Sequence, residues 1–393
     1  MIRRAGAWFA VLLALFAAGS GAQAQEKIRI GVIGPFSGPF ATAGTQFRMG
    51  IEAFTALHGT KAGNREVELI YRDIAGTNPA VAKRLAEELI VNNKVHLLTG
   101  FYLSSEATAV APVVNETKTP TVLFVASSPA VITQSQYFVR MGGNIWQYAL
   151  PQAEWGYRKG LRKAYIAVAD YAPGHDVQVA FRTRFTDLGG AIVGEDRIPL
   201  TTVDFAAYAE RIARASPDLV VVFIPAGTPA VNFIKALSGQ GVLDKATVIG
   251  QAETDDPELR LFDKSVTGVY SALYYAVAVP GEENRRFKEQ LIKRYGAGAI
   301  PNFTAVDAYD GMRVLYRMIE AQKGTAFSPE AAMAAVRGYA WSSPRGPVRF
   351  EGDSRDVTQN IYIRRVTEVG GRLENAIVDT LTAVKTPTKV QRD

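Results

Sequence analysis

Two pairs of consecutive serines follow apolar segments of the kind that form buried strands. Ser104 and Ser105 stand after one such segment, and Ser127 and Ser128 stand after the next. Ligands of open α/β sheets bind outside the carboxyl ends of the strands, where helix N-termini present free N–H groups and a positive dipole end. Each serine alone is more commonly a helix cap, but a cap needs one hydroxyl per helix, which leaves the second serine of each pair spare. We therefore predict that these serines hold the carboxylate of a small ligand.

The same loops carry aromatic side chains that could keep water away from a bound ligand. Phe101 and Tyr102 precede the first serine pair, and Tyr171 follows a later apolar segment. Their rings could form apolar walls around the uncharged part of the ligand. The sequence thus predicts a pocket that combines hydroxyl donors with aromatic walls.

Residue patterns typical of enzymes and metal sites are missing from the sequence. The histidines His58, His96 and His175 are not at metal-ligand spacing, and the chain has no cysteine. It contains no nucleophile elbow and no phosphate-binding lysine loop, and the turn at 31–34 lacks the glycine core of a dinucleotide site. We predict a protein that is not an enzyme and that binds no metal and no cofactor.

Strands and helices alternate along the chain in two series, as they do in α/β proteins with parallel sheets. The first series has predicted strands at residues 27–33, 66–71, 95–98 and 121–125. The second has predicted strands at residues 163–169, 191–198, 219–224, 247–250 and 269–274. A helix at 303–321 with no new sheet after it indicates that the chain returns to the first unit, and strand-like segments follow at 348–350 and 359–364. We predict an α/β fold with two doubly wound parallel-sheet lobes.

Residues 1–24 have the features of a cleaved signal peptide. Arg3 and Arg4 precede an apolar stretch at 7–18, and an A-x-A cleavage signal ends at Ala24. No later stretch offers about 18 unbroken apolar residues. Because no cysteine is present to carry a lipid anchor, we predict a free protein that is exported to the periplasm.

The bulk composition fits a two-domain globular protein. The 393 residues are 48% hydrophobic and 21% charged, which supports packed cores. The formal charge is +6, but Lys and Arg are scattered among Asp and Glu, and no basic tract has interleaved aromatic residues. Nucleic acid is therefore not an expected partner.

Four segments of the sequence together resemble the leucine/isoleucine/valine-binding family of periplasmic solute-binding proteins. They are IGVIGPFSGP at 30–39, the loop and helix at 100–112, DYAPG at 170–174 and SPRGP at 343–347. The resemblance implies the type I periplasmic-binding fold, in which a three-segment hinge joins two lobes and the ligand lies in the cleft. The implied division is a signal peptide at 1–24, a first lobe at 25–141 and 276–346, and a second lobe at 142–275 and 347–393.

The resemblance also implies which loops bind the ligand. In such proteins, two first-lobe loops hold the ligand's carboxylate, an aromatic residue lines the pocket, and second-lobe loops complete it. A glutamate in the last of these loops pairs with the ammonium group of an amino acid, although the register of Glu253 differs by about one residue. The predicted ligand-binding residues are Phe101, Tyr102, Leu103, Ser104, Ser105, Ala126, Ser127, Ser128, Tyr171, Pro173, Gly227 and Glu253.

Two ligand classes stay open at this point. The breadth of the family slightly favours a branched-chain or other hydrophobic amino acid. The loss of aromatic bulk at Ala43, Pro173 and Gly227, and the form of the segment at 170–174, favour an aromatic carboxylate such as a benzoate- or cinnamate-type acid. In either case the resemblance implies the substrate-binding subunit of an ABC importer. We expect it to be a monomer that delivers its ligand to an inner-membrane ABC permease; the alternative role is that of a ligand-sensing module for a receptor.

Overall fold

The computed structural model describes residues 27–76, 78–387 and 390, so the predicted signal peptide at 1–24 lies outside the described residues. Over these ranges the chain forms a mixed α/β structure with two parallel-sheet lobes, which confirms the predicted fold class. No helix within the described ranges is long and apolar enough to cross a membrane.

The first lobe is built on a six-stranded sheet with the strand order β2-β3-β1-β4-β5-β6. Its strands are β1 (Ile28–Gly34), β2 (Lys61–Ala62), β3 (Arg65–Asp73), β4 (Leu97–Gly100), β5 (Thr121–Leu123) and β6 (Phe138–Arg140). All neighbouring strands pair in parallel, except that the short β2 pairs with β3 in the antiparallel direction. The helices between these strands are α1 (Ala41–His58), α2 (Pro79–Val91) and α3 (Ser104–Thr117).

The second lobe contains a nine-stranded sheet whose parallel part has the order β11-β10-β9-β7-β8. These strands are β7 (Lys163–Ala169), β8 (Ala191–Ile198), β9 (Leu219–Phe223), β10 (Thr247–Gly250) and β11 (Tyr270–Leu273). The helices of this part are α4 (Trp146–Arg158), α5 (Ala172–Asp187), α6 (Ala206–Ala215), α7 (Thr228–Gly239) and α8 (Val242–Lys245). Strand β9 is apolar and buried along its whole length because it lies between two parallel neighbours.

After β11 the chain adds helices to the first lobe and then rejoins the second sheet. The helices are α9 (Glu282–Tyr295), α10 (Phe303–Glu320) and α11 (Pro329–Ala334). Helix α10 packs so closely on α1 that a β carbon at Gly50 would lie 2.0 Å from the carbonyl oxygen of Ala305. The final strands extend the second sheet by antiparallel pairing, and they are β12 (Ala340–Ser343), β13 (Gly346–Phe350), β14 (Val357–Val369) and β15 (Arg372–Val384).

Capping side chains explain where two of the helices begin. The Asn78 side chain accepts a hydrogen bond of 3.2 Å from the backbone N–H of Val81, and Pro79 occupies the first turn of α2. Asn302 accepts a 3.0 Å bond from the N–H of Thr304 and so starts α10 at the edge of the cleft between the lobes.

Several element boundaries differ from the sequence prediction. Strand β4 covers Leu97–Gly100 rather than 95–98, and β5 covers Thr121–Leu123 rather than 121–125. The last predicted strand is part of the 13-residue β14, and its hairpin partner β15 was not predicted. Strand β15 lies at the surface and is largely exposed, so it lacks the apolar run that marks a buried strand.

The chain passes between the two sheets first between β6 and α4, and again between β11 and α9. The predicted boundaries at 141/142 and 275/276 fall within these connections. The last connection between the lobes has no single crossing point. Strand β13 pairs with β14 of the second sheet, whereas Trp341 of β12 donates a 2.9 Å hydrogen bond to Asp310 of α10 in the first lobe. The predicted boundary at 346/347 lies at the start of β13, and the lobe boundaries remain a proposal.

Fully buried arginines tie the connecting segments to the lobes. Arg140, at the end of β6, donates hydrogen bonds of 2.7 and 2.8 Å to the two carboxylate oxygens of Asp356. Arg345, between β12 and β13, pairs with Asp307 of α10 at 2.9 Å. Arg345 also pairs with Asp310 of α10 at 3.0 Å. Removing either arginine would leave buried carboxylates without their charged partner, so these pairs fix the connecting segments in place.

Candidate functional site

A cavity lies between the two lobes, at the carboxyl ends of the parallel strands of both sheets. It encloses about 520 Å³ of space, including its opening. The first lobe lines it with Tyr102, Leu103, Ser104, Val125, Ser127 and Phe303. The second lobe lines it with Gly142 in the first connection between the lobes and with Ile145 and Tyr148 near the start of α4. It also contributes Tyr171 after β7, residues 223–226 at the end of β9, Gln251 and Ala252 after β10, and Leu273 and Tyr274 at the end of β11. The cavity is in the place where an open α/β sheet binds its ligand.

Left-handed backbone after two strands aims the first-lobe loops at the cavity. Phe101 follows β4 with a φ of 63°, and Ala126 follows β5 with a φ of 44°. The Phe101 ring is fully buried in the core of the first lobe, and the next residue, Tyr102, faces the cavity instead. After β5, Ser127 lies on the cavity while Ala126 packs into the same core.

The polar part of the first-lobe wall is formed by hydroxyl groups and a helix N-terminus. Ser104 is the first residue of α3, whose leading N–H groups have no partners within the helix. The Oγ of Ser104 accepts a 3.0 Å hydrogen bond from the backbone N–H of Ser128, which leaves its own hydrogen available to donate. Together with the hydroxyl of Ser127, these donors can hold an anionic group.

Aromatic rings form the rest of the wall. Tyr171 stacks on Phe223, with ring centroids 6.0 Å apart and ring planes only 9° apart. On the hinge side, Tyr274 lies 5.7 Å from Tyr148 and meets the edge of Phe303 at 6.0 Å, both measured between centroids. These surfaces suit a flat apolar ligand such as an aromatic ring.

Hydrogen bonds between the lobes place the cavity in a closed cleft. The hydroxyl of Tyr102 donates to the carbonyl oxygen of Ala226 at 2.9 Å. The hydroxyl of Ser128 donates to Oδ2 of Asp176 on α5 at 2.6 Å. Each bond joins a first-lobe residue to a second-lobe residue, so both require that the lobes be close together.

The described residues that line the cavity include no Asp, Glu, Lys or Arg. Glu253, the predicted partner for an ammonium group, lies behind the wall. Its carboxylate accepts hydrogen bonds from the backbone N–H groups of Ile224 at 2.8 Å and Gln251 at 2.6 Å. Burial raises the pKa of Glu253 to about 7, against the lowering effect of these backbone bonds. The carboxylate of Glu253 therefore connects two loops of the wall and does not line the cavity.

A second buried glutamate supports the first-lobe wall. Oε2 of Glu106 on α3 accepts hydrogen bonds from the backbone N–H groups of Tyr102 at 3.1 Å and Leu103 at 3.0 Å. Burial raises the pKa of Glu106 to about 7. By holding these two amides, Glu106 fixes the turn that carries Tyr102 and Leu103 to the cavity.

The structure brings some of the predicted ligand-binding residues to the cavity and not others. Those that line it are Tyr102, Leu103, Ser104, Ser127 and Tyr171. Those that do not line it are Phe101, Ser105, Ala126, Ser128, Pro173, Gly227 and Glu253.

The residues away from the cavity have other contacts. Phe101 and Ala126 pack in the core of the first lobe, and Pro173 is buried in the first turn of α5. Gly227 adopts a φ of 132° beside the first lobe, where a β carbon would lie 2.9 Å from the carbonyl oxygen of Pro39. The absence of a side chain at Gly227 therefore permits the lobes to close and does not widen the cavity.

Several residues of the cavity wall were not among the ligand-binding residues predicted from the sequence. Gln251 and Tyr274 follow β10 and β11, so the rule that ligands bind at the carboxyl ends of strands could have identified them. Phe303 had no such signal, because it reaches the cavity only through the return of α10 to the first lobe.

Comparison with known protein families supports the reading of the fold. The sequence profile of a family described as periplasmic binding protein matches residues 27–372 of the chain. A relative from Brucella melitensis, named Leu/Ile/Val-binding protein homolog 6, is 39% identical over 358 residues, which cover 91% of this chain and 92% of the relative.

Two similar solved structures hold aromatic acids. A solute-binding protein of an ABC transporter from Rhodopseudomonas palustris, in complex with 4-hydroxybenzoate, is 38% identical with a TM-score of 0.89, and the match covers 92% of this chain and 98% of that one. A second Rhodopseudomonas palustris protein, in complex with 3,4-dihydroxybenzoic acid, is 34% identical with a TM-score of 0.87 and coverage of 92% and 99%.

Proposed function

The chain belongs to the periplasmic binding protein family, and on that premise we propose that it is the ligand-capturing subunit of a bacterial ABC importer. In this role it binds a small carboxylate in the periplasm, closes its lobes on it, and presents it as a monomer to an inner-membrane permease. The enclosed cavity between the lobes supports the binding role, and the signal-peptide features of residues 1–24 support the location.

We propose further that the ligand is an aromatic carboxylate rather than an amino acid. The observation that carries this choice is the absence of any carboxylate among the described residues that line the cavity. A buried ammonium group would have no anionic partner there, and an unpaired buried charge is costly. The aromatic acid has no ammonium group, and the aromatic acids bound in the two similar structures point in the same direction.

In the proposed complex, the carboxylate of the ligand lies against the hydroxyls of Ser104 and Ser127 and the N-terminus of α3. The aromatic ring of the ligand lies between the stacked pair of Tyr171 and Phe223 and the ring of Tyr274. Neutral hydroxyl donors and a helix N-terminus can bind an anion without a basic side chain.

Calorimetry with four ligands tests this assignment on protein that has been unfolded and refolded to remove any retained ligand. The ligands are 4-hydroxybenzoate, its uncharged analogue 4-hydroxybenzamide, leucine and phenylalanine. We expect 4-hydroxybenzoate to bind, and the amide to bind roughly ten-fold or more weakly, since it loses the charge-assisted hydrogen bonds. Phenylalanine carries both an aromatic ring and an ammonium group, and we expect neither it nor leucine to bind measurably.

Three results would count against the proposal. Tight binding of leucine or phenylalanine would mean that the cavity accommodates an ammonium group. Equal binding of the acid and the amide would remove the carboxylate from the recognition. Failure of all four ligands to bind would leave the aromatic class without support.

A further inference from the structure

The hydrogen bond between Ser128 and Asp176 joins the lobes outside the ligand cavity. Oγ of Ser128 lies 2.6 Å from Oδ2 of Asp176, and neither residue lines the cavity. Ser128 is 2% exposed, and Asp176 is half-buried in the first turns of α5. The bond is therefore partly buried in the closed protein, and it is made without a ligand.

Ser128 is also connected to the cavity wall and to the hinge. Its backbone N–H donates to Oγ of Ser104, which lines the cavity, at 3.0 Å. Its carbonyl oxygen accepts a 2.6 Å hydrogen bond from Arg140, and Arg140 is held in turn by Asp356. Because these contacts fix the backbone of Ser128 from both sides, its hydroxyl meets Asp176 at one relative position of the lobes.

We propose that Ser128 and Asp176 form a latch that sets the affinity of the protein for its ligand without touching the ligand. The two residues belong to different lobes, so their hydrogen bond forms on closure and is lost on opening. A bond that exists only in the closed state increases the closed population, and apparent affinity rises with the population of the binding-competent state. This inference takes its ligand from the proposed function, whereas the hydrogen bond between Ser128 and Asp176 is independent of that function.

The hydrogen bond from Tyr102 to Ala226, which also joins the lobes, cannot be tested as cleanly. The Tyr102 hydroxyl that bonds to Ala226 belongs to a ring that lines the cavity, so changing it alters ligand contacts as well as closure. Ser128 and Asp176 separate the two effects. Asp170 offers a matched control, because it lies near the same helix start but pairs with His175 of its own lobe at 2.7 Å.

The test measures dissociation constants of 4-hydroxybenzoate and 3,4-dihydroxybenzoate for Ser128→Ala, Asp176→Ala, the double variant, Asp176→Asn and the control Asp170→Ala. A hydrogen bond to a charged group is worth roughly ten-fold or more in an equilibrium constant. We expect each single alanine substitution to raise the dissociation constants of both ligands by the same factor of about ten, mainly through faster dissociation.

The double variant should bind no more weakly than either single variant, because both substitutions remove the same hydrogen bond. Asp176→Asn keeps an acceptor oxygen, so its affinity should fall less than that of Asp176→Ala. The control Asp170→Ala should bind both acids with the affinity of the wild type.

Two outcomes of this test would overturn the latch. Unchanged affinity in the alanine variants would mean that the bond does not contribute to closure. A factor that differs between the two ligands would mean that Ser128 or Asp176 contacts the ligand, as the sequence predicted for Ser128.

A ligand-independent measurement keeps the latch testable if the proposed ligands fail to bind. The distance between spin labels on the two lobes of ligand-free protein reports the closed population directly. We expect Asp176→Ala to reduce the closed population relative to wild type and to Asp170→Ala. Identical distance distributions in all three proteins would contradict the latch, whereas failure of the wild type to bind either acid contradicts only the proposed ligand class.

Discussion

Only one serine of each pair faces the cavity, and the reason lies in the local backbone. Ser104 opens α3 and faces the ligand space, while Ser105 is rotated by about 100° around the same helix. Ser127 lies on the cavity, and the hydroxyl of the following Ser128 reaches Asp176 of the other lobe. The sequence predicted two first-lobe loops that do reach the cavity, but the pairing of consecutive serines could not tell which hydroxyl points inward.

Ser127→Ala tests the proposed binding of the carboxylate at the level of one side chain. The hydroxyl lines the cavity, and a hydrogen bond to a charged ligand contributes roughly 1.5–3 kcal/mol. We expect calorimetry to give a dissociation constant for 4-hydroxybenzoate at least about ten-fold higher than that of the wild type. The melting temperature of the ligand-free protein should be unchanged, because Ser127 is bonded to Ile145 through its carbonyl oxygen, which the substitution retains.

Ser105→Ala is the matched control for this change. It removes the same hydroxyl group from the first turn of α3, at a residue that does not line the cavity. We expect its affinity to equal that of the wild type. Equal losses in the two variants, or no loss in Ser127→Ala, would contradict the assignment of the carboxylate to Ser127.

Glu253 illustrates a second limit of the sequence. A glutamate in a ligand-facing loop predicts a partner for an ammonium group, and the chemistry of the side chain alone permits that role. In the fold, the carboxylate is turned toward the N–H groups of Ile224 and Gln251, which are neighbours only because β9 and β10 are adjacent. Contacts of this kind depend on tertiary structure and leave no pattern along the chain.

At the scale of elements, the buried parallel strands were the most predictable part of the molecule. The strands at 163–169 and 247–250 have the predicted boundaries, because apolar runs between turn signals specify them. The edge strand at 191–198 also has its predicted boundaries, although it is mostly not buried. The hairpin of β14 and β15 was predicted only in part. Its second strand is stabilised by pairing with β14 rather than by an apolar pattern of its own.

The close contact of α1 and α10 gives a prediction about stability. Gly50→Ala would place a methyl group 2.0 Å from the carbonyl oxygen of Ala305 and 2.9 Å from the β carbon of Ala308. The helices must then move apart, and overpacking of this kind typically costs about 1–3 kcal/mol. We expect chemical denaturation to show this loss in the free energy of unfolding.

Gly239→Ala provides the control for that experiment. Gly239 is the last residue of α7, and a β carbon there would have no heavy atom within 4 Å. The change should be neutral or slightly stabilising, because alanine reduces the freedom of the unfolded chain. If Gly50→Ala were as well tolerated as Gly239→Ala, the close packing of α10 on α1 would be contradicted.

At the scale of the whole molecule, the proposed capture of a ligand requires that the two lobes move about their connections. The arginine pairs Arg140–Asp356 and Arg345–Asp307 hold the connecting segments, and hydrogen bonds from Tyr102 and Ser128 close the cleft. The cavity belongs to neither lobe alone, since both contribute its walls. Ligand binding should therefore be coupled to lobe closure.

Labelling sites for measuring closure are available because the chain contains no cysteine. Ala80 is exposed near the start of α2 in the first lobe, and Val203 is 84% exposed after β8 in the second. Both follow the carboxyl ends of strands, on the side of the molecule where the cleft lies. Cysteines introduced at these two positions would carry the only spin labels.

Capture by lobe closure is tested most directly by the distance between these two labels. Pulsed electron paramagnetic resonance measures it on ligand-free protein and after saturation with 4-hydroxybenzoate or leucine. We expect 4-hydroxybenzoate to shift the distribution to a single shorter distance, whereas leucine should leave the ligand-free distribution unchanged. Closure on leucine without closure on 4-hydroxybenzoate would contradict the aromatic ligand. Binding of 4-hydroxybenzoate with no change in distance would contradict capture by lobe closure.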